Sequence, residues 1–570
     1  MKTLSVNGSA EPFLPKLLIT LRQGYGGSAF LRDLLAGITV GVVALPLAMA
    51  FAIASGTTPE RGLFTAIVAG FLISALGGSR YQIGGPTGAF VVIIYNVIFR
   101  HGYDGLVITT LLAGAMLLVL GLCRVGALIK YIPYPVTTGF TSGIAVLIFS
   151  TQMKDFFGLP MATVPPEFFE KWEAYLHHAT QFDPVTLGIA LLALVAIITV
   201  RRTIPRVPGP VVGVALASLV VWALGLHVET IGSRFGGIPD VLPQLTIPVV
   251  TLARIRELLP DAMTIALLAG IESLLSCVVA DGMTGSKHNS NVELTAQGVA
   301  NIASVLFGGI PATGAIARTV TSIRSGAYSP MAGIIHAVVL VGFILFLAPL
   351  ASYIPLASLA AVLVVVAWDM SELPKFVRLL HAPKSDVTVM CLTFLLTVLI
   401  DLTVAVYVGV MLASLLFMRR MSEVTQVCTC GETLRPYGPV SGAALRELDV
   451  PEGVQVYEID GPFFFGSADR FQNVLAALER TPRVFILRLR KVPAIDSTAV
   501  NVLESFHVTC QRRGTTLLLS GVRPVAMAVL HRMGTDRRIG AENICEDISA
   551  ALARAQVLLA EGREGDDAPR

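Results

Sequence analysis

Charge is what this chain lacks. Only 14% of its 570 residues are charged, well below the quarter or so found in a soluble globular protein. The shortage is local. Charges thin out between Asp33 and Met418 and return after Arg419, so the chain meets two solvents. The net charge of +3 is too small and too dispersed for a nucleic-acid surface. The seven cysteines (123, 277, 391, 428, 430, 510 and 545) form no paired framework, which excludes a disulfide-stapled fold. Cys428 and Cys430 have no second Cys or His pair at ligand spacing, so they read as adjacent linker thiols. No motif asks for a cofactor or a metal. The N-terminus lacks the short apolar core and cleavage site of a signal peptide; its first apolar run follows Arg32-Asp33 and continues as a spanning segment.

What the chain has instead is long apolar runs. Stretches of about 16 to 23 residues recur from Leu34 to Met418, each near the length of a bilayer-spanning helix. Spans are expected at 34–54, 62–77, 105–122, 138–153, 184–200, 210–226, 260–280, 292–307, 329–350, 354–368, 386–400 and 402–418. Two shorter pieces, 87–98 and 313–323, follow Gly/Pro breaks and are too short to cross alone. Counted as half-helices, they make fourteen segments. With both termini cytoplasmic, the inner side collects Arg22, Arg32, Arg80, Arg124, Arg201, Arg202, Arg206, Lys375, Arg378 and Lys384 among others. The outer side holds only Arg61, Arg100, Lys154, Lys171, Arg234, Arg254 and Arg256, most of them in long loops where the positive-inside bias carries least weight. A multi-pass protein of a bacterial inner membrane is expected.

The two broken segments match. The first reads Gly84-Gly85-Pro86-Thr87-Gly88-Ala89 and the second Gly308-Gly309-Ile310-Pro311-Ala312-Thr313-Gly314-Ala315. They are the third and tenth of fourteen segments, so they hold the same place in two halves of seven. Seven is odd, so the second half lies inverted. Short Gly/Pro-interrupted segments at matching positions of inverted halves point to a transporter's substrate site. The physical reason is that a half-helix ending mid-membrane leaves N–H groups unpaired and places partial positive charge there. Two such ends make an anion cradle. An isolated kink would be only a packing device; a matched pair is more than that.

Charged residues inside the apolar runs add detail. Arg318 falls in the second half-helix, where it either clamps an anion or pairs permanently with a carboxylate. Glu272 sits mid-span, where a carboxyl can be neutral when desolvated and ionised when water approaches, as a proton-coupling group must. Ser276 lies one turn away on the same face, leaving a sodium ligand set as the rival and a protonated structural carboxyl as the third reading. His336 reads as a packed, neutral, hydrogen-bonded residue. Asp401 reads as solvated, and His177-His178 as part of an outer loop with no metal role.

After Arg420 the pattern changes. Strands at Val454–Ile459, Val484–Leu489 and Thr516–Ser520 alternate with helices at Ala468–Leu478, Asn501–Arg512 and Pro524–Met533. That alternation describes a small α/β domain with a mainly parallel sheet. The expected organisation is an N-terminal segment 1–30, a transmembrane domain 31–421, a linker 422–450, the α/β domain 451–560 and a charged disordered tail 561–570.

The run Ala44-Leu45-Pro46-Leu47-Ala48-Met49-Ala50-Phe51-Ala52 resembles the opening of the SulP anion permease family. So do Gly78-Ser79-Arg80, Gly85-Pro86-Thr87, Tyr131-Ile132-Pro133, Gly139-Phe140-Thr141-Ser142-Gly143 and Gly308-Gly309-Ile310-Pro311. Ile271-Glu272-Ser273-Leu274-Leu275, Asp281-Gly282-Met283-Thr284-Gly285 and Asn291 with Glu293-Leu294 look like bacterial aerobic C4-dicarboxylate carriers. The resemblance implies an all-α, nucleobase-permease-like inverted repeat with a mobile core, a gate and a homodimer. It implies an anion site lined by Leu47, Phe51, Thr87, Gly88, Ala317 and Arg318, with Glu272 and Ser276 at the coupling-ion site. The C-terminal part resembles a STAS domain, whose phosphorylatable loop corresponds to Ser497 and Thr498; an Asp-Ser-Thr helix cap is the simpler reading there. No enzymatic activity is expected. The function implied is proton-coupled uptake of a C4-dicarboxylate by an elevator-like cycle. The alternatives are sulfate or bicarbonate transport, proton- or sodium-coupled, or an anion channel or sensor with STAS output to a cytoplasmic protein or nucleotide.

Overall fold

The computed structural model describes residues 13–126, 133–161, 164–204, 207–239, 243–245, 248–400, 402–424, 426–430, 450–464 and 482–566. Asp401 and the helix expected at Ala468–Leu478 lie outside them. The chain divides into two compact units, 1–411 and 412–570.

A helix stands at every stretch read as a span. In order they are α1 (Gly27–Ala54), α2 (Pro59–Leu76), α3 (Gly88–Leu122), α4 (Tyr134–Phe157), α5 (Pro184–Thr203), α6 (Gly209–Leu224) and α7 (Leu252–Thr284). Then come α8 (Ser290–Leu306), α9 (Ile316–Arg324), α10 (Met331–Ala351), α11 (Leu356–Met370), α12 (Lys384–Leu399) and α13 (Leu402–Val424). Among the described residues, nine helices are long and apolar enough to cross a membrane. This is a multi-pass membrane protein. The segments expected at 87–98 and 105–122 form one helix, α3, interrupted at Gly102, where φ is +70° and ψ −179°. Glycine reaches that backbone conformation at little steric cost, so a break replaces the expected loop.

Packing sorts these helices into two sets. In the first, α3 lies against α7 and α8, α10 against α1 and α2, and α2 against α8. In the second, α4 lies against α11 and α12, and α5 against α6 and α11. The first set is pinned at the start of α1 by Asp33, which is fully buried. Its carboxylate accepts Tyr25 Oη at 2.8 Å and the amides of Tyr328 and Ser329 at 2.6 and 3.0 Å. It joins α1 to the turn entering α10 and gives a buried charge the donors it requires.

The stretch between α4 and α5 contains a helix, Phe168–His178. Lys171 on it is buried, and burial pushes its amine down to about 8. Among the described residues no group of His, Cys, Asp and Glu could hold a metal, His177 and His178 included.

The second unit is a five-stranded sheet in the order β3-β4-β5-β6-β7, with β3 (Gln426–Cys430), β4 (Val454–Asp460), β5 (Val484–Lys491), β6 (Thr516–Ser520) and β7 (Ile544–Cys545). Among the described strands, only β3 runs antiparallel. One face, with Phe485, Leu487 and Leu519, packs on α14 (Ser497–Arg512) and α15 (Pro524–Met533). The other, with Val456, Ile486 and Leu518, packs on α16 (Ile548–Asp566). Two expectations change. The stretch read as a linker contributes β3, so Cys428 and Cys430 belong to a strand. The stretch read as a disordered tail is helical to Asp566, because an Ala- and Leu-rich run of good helix formers leads into it.

Two outcomes are expected. In a cysteine-free background, Glu173→Cys, which is exposed, reacts with an impermeant maleimide in intact cells, whereas Lys171→Cys does not. Protection of Glu173→Cys until lysis would overturn the topology. Truncation after Val424 leaves a monodisperse membrane unit, whereas truncation after Leu448 leaves β3 without its partner β4 and promotes aggregation. Size-exclusion chromatography compares the two.

Candidate anion-binding site

The two Gly-rich breaks meet. β1 (Gly84–Gly85) and β2 (Thr313–Gly314) pair antiparallel, Gly84 opposite Gly314 and Gly85 opposite Thr313. Beside them the Ala315 amide donates to Ile83 O at 2.8 Å. The chain then turns into α3 on one side of the crossing and α9 on the other. Neither helix has a side-chain cap: Thr87 precedes α3 and Ala315 precedes α9, both extended. Their first N–H groups are therefore available, as the half-helix reading requires. The Thr87 hydroxyl is buried without a partner among the described residues.

Arg318 lies across this crossing. It is 2% exposed, and its guanidinium donates to Gly84 O at 3.4 Å and to Pro86 O. Gly85 has a φ of +145°, and a Cβ on it would fall 2.3 Å from Arg318 Nη1. Glycine is needed at this position on both counts. The carboxylate partner expected as one of the two alternatives for Arg318 is not found among the described residues. Backbone carbonyls of the opposite half hold it, and they occupy only part of its five-donor fork.

Helix α7 supports the crossing from behind. Ser273 Oγ and Thr313 Oγ1 lie 2.8 Å apart, and Ser273 Oγ accepts the Gly314 amide at 3.0 Å. Ser276 donates to Thr319 Oγ1 at 3.2 Å, and Thr319 accepts the Ile83 amide at 3.1 Å. Ser276 thus holds α7 to α9. Glu272 is buried on the same helix.

Leu47 and Phe51 of α1 are buried in the core shared with Phe90 and Ile148. A Cβ on Gly88 would meet Met370 Sδ at 2.8 Å, Ile148 at 3.1 Å and Phe51 Cε1 at 3.3 Å, so Phe51 and Gly88 are brought together. Ala317 is exposed, one residue from buried Arg318. His336 departs from expectation. It is fully buried, as foreseen, but neither ring nitrogen has a hydrogen-bond partner among the described residues.

Sequence reasoning missed Gln82, Ser273, Thr313 and Thr319, which hold the crossing together. Their proximity to Glu272 and to the Gly-Gly pairs was the signal available. In the second unit, Asp496 caps α14 by accepting the Ala499 amide at 2.8 Å, leaving Ser497 and Thr498 exposed beside it.

Residues 30–393 match the model of the sulfate permease family, and residues 446–551 match the STAS domain. The chain belongs to the sulfate permease family. It is 42% identical to a Bacillus subtilis protein named "Putative sulfate transporter YvdB", over 91% of this chain and 97% of that one. It is 31% identical to the bicarbonate transporter BicA of Synechocystis, over 94% and 96% of the two chains. The solved transmembrane domain of a cyanobacterial BicA superposes with a TM-score of 0.60 at 31% identity, covering 68% of this chain and 98% of that one. The murine Slc26a9 anion transporter, solved in an inward-facing state, shares the fold with a TM-score of 0.85 at 18% identity, over 98% and 96% of the chains.

The glycine at the crossing is testable. Gly85→Ala is expected to destabilise the fold by about 1–3 kcal/mol, through a strained backbone and a displaced guanidinium. A thermal melt beside Gly26→Ala, a site where an added Cβ meets nothing, checks it.

Proposed function

We propose that this protein is a secondary active transporter of the bacterial inner membrane that takes up a small inorganic oxyanion, sulfate first, together with protons. The observation that carries the reading is the meeting of two uncapped half-helix starts beside a buried arginine whose partners, among the described residues, are backbone carbonyls. Such a site offers fixed positive potential, with free donors, to one compact anion. The name of the 42% identical relative supports sulfate. Bicarbonate is the second reading, supported by the 31% identical BicA proteins. The dicarboxylate expectation finds no such support. Its two carboxylates lie several bonds apart, whereas the crossing presents one arginine.

Both termini are taken as cytoplasmic and the span count as fourteen. The two packing sets then serve as mobile core and gate of an elevator-like cycle, with a homodimer held through the gate. Glu272, in the core behind the crossing, carries the coupling proton; an uncoupled channel would have no use for it. Exposed Ser497 and Thr498, next to the Asp496 cap, are the candidate regulatory positions of the STAS domain, open to a cytoplasmic protein or nucleotide.

Proteoliposome flux tests these assignments together. Sulfate, bicarbonate, succinate and fumarate are compared with and without a proton or sodium gradient. Glu272→Gln should keep exchange at equal concentrations and accumulate less than wild type under an acidic exterior. Arg318→Ala should weaken anion binding by about 1–3 kcal/mol, the worth of a charge-assisted hydrogen bond. A Glu272→Gln protein that concentrates substrate as strongly as wild type under a proton gradient excludes this residue as a carrier.

A further inference from the structure

One buried carboxyl has no part in the mechanism above. Glu293, in the first turn of α8, is fully buried. Its Oε2 accepts the Gly78 amide at 2.9 Å, with the Ser79 amide alongside. Its Oε1 accepts Gln82 Nε2 at 3.0 Å and Gln297 Nε2 at 2.9 Å. All of these donors are neutral, and no ion pair to Glu293 is found among the described residues. A carboxylate in that position lacks a countercharge, so burial opposes its charge while the four donors favour it. Gln297 Oε1 is buried without a donor. By turning its amide, Gln297 can present that oxygen to a protonated Glu293, giving up only the N–H bond that a protonated Oε1 no longer requires.

The position of Glu293 ties it to the anion site. Gln82 Nε2, which bonds Glu293, also bonds Ser273 O, the carbonyl next to Glu272, at 3.2 Å. Gln82 lies two residues before the Gly84–Gly314 crossing. Gly78 must approach closely, since a Cβ there would fall 2.1 Å from Asn289 O and 3.0 Å from the Glu293 amide. Any change at Glu293 is thus felt by the lead-in to α3 and by the backbone of α7. The groups facing this corner are a thiol, an acid and the imidazole of His288. Cys277 of α7 donates to Gln82 Oε1 at 3.1 Å, and Asp281 of the same helix is held by His288 at 2.6 Å. In the 77–82 turn, Arg80 points away to Gln23.

We propose that Glu293 is a second proton-carrying residue of the transport cycle, acting with Glu272 so that one divalent oxyanion travels with two protons. Resting on the proton-coupled reading above, this adds a stoichiometry and a substrate class. Two protons neutralise a dianion such as sulfate, whereas a monovalent anion needs one. Glu293 acts through Gln82 on the crossing and does not touch the anion.

The test uses full-length protein in vesicles, with membrane potential clamped and the interior one pH unit more alkaline than the exterior. Each coupled proton supports about tenfold accumulation per pH unit. Wild type should approach about 100-fold sulfate accumulation, and Glu293→Gln about tenfold, with exchange retained. Glu293→Asp, which still titrates, should restore accumulation above tenfold. In parallel, infrared difference spectra between about pH 5 and 8 should show a protonated-carboxyl band that is lost in Glu293→Gln and kept in Glu272→Gln. Wild-type accumulation by a folded Glu293→Gln, or a band insensitive to that substitution, overturns the proposal. So does equal loss of exchange and thermal stability in both Glu293 variants, which would make the residue a structural tether. If wild type shows no proton-driven uptake, the coupled reading fails, and the infrared band alone decides whether Glu293 takes up a proton.

Discussion

The membrane unit depends on how one guanidinium is satisfied. Arg318 sits where water is scarce, and an unpaired cation there is expensive. Its solution is the backbone of the other half, at Gly84 O and Pro86 O. A carboxylate partner would have cancelled its charge. Carbonyl dipoles stabilise the guanidinium and leave its net charge in place. The same contact fixes where the two half-helices start, why Gly85 is a glycine, and why α7 must reach in with Ser273 and Ser276.

In the proposed reading that arrangement separates two tasks. Arg318 and the starts of α3 and α9 supply fixed positive potential that requires no titration. Glu272, on the helix behind, would be the group whose charge changes, and the crossing would outlast that change because its hydrogen bonds run through Ser273, Ser276, Thr313 and Thr319. In that reading, anion affinity and proton coupling vary independently.

The features legible in the sequence were those with a local signature. Gly-Gly, Pro and Thr-Gly-Ala recur at both breaks, and their matching places in two halves predicted the crossing that the structure contains. The helices followed from apolar run length, and β4, β5 and β6 from their apolar composition. What was not legible depends on partners far apart in sequence. Asp33 meets Ser329, and Gln82 meets Glu293, over separations of 296 and 211 residues, and no local pattern announces either. The partner of Arg318 was missed for a related reason: every residue offers a backbone carbonyl, so composition cannot point to one. β3 was missed because a five-residue strand that pairs antiparallel looks like linker until its partner is known.

The 234 residues between Arg318 and Gly84 also bear on how the protein is made. The first lead-in leaves the ribosome with its glycines and carbonyls facing no partner. At roughly 5–20 residues per second, the arginine that will bond them emerges on the order of ten or more seconds later. During that interval α1, α2 and α3 have no finished centre to pack around, and their polar backbone must be sheltered by the insertion machinery or stay near the membrane surface. Assembly of the core is therefore a late event that waits for the second half, and a variant slow to deliver α9 would be cleared before it had failed to transport anything.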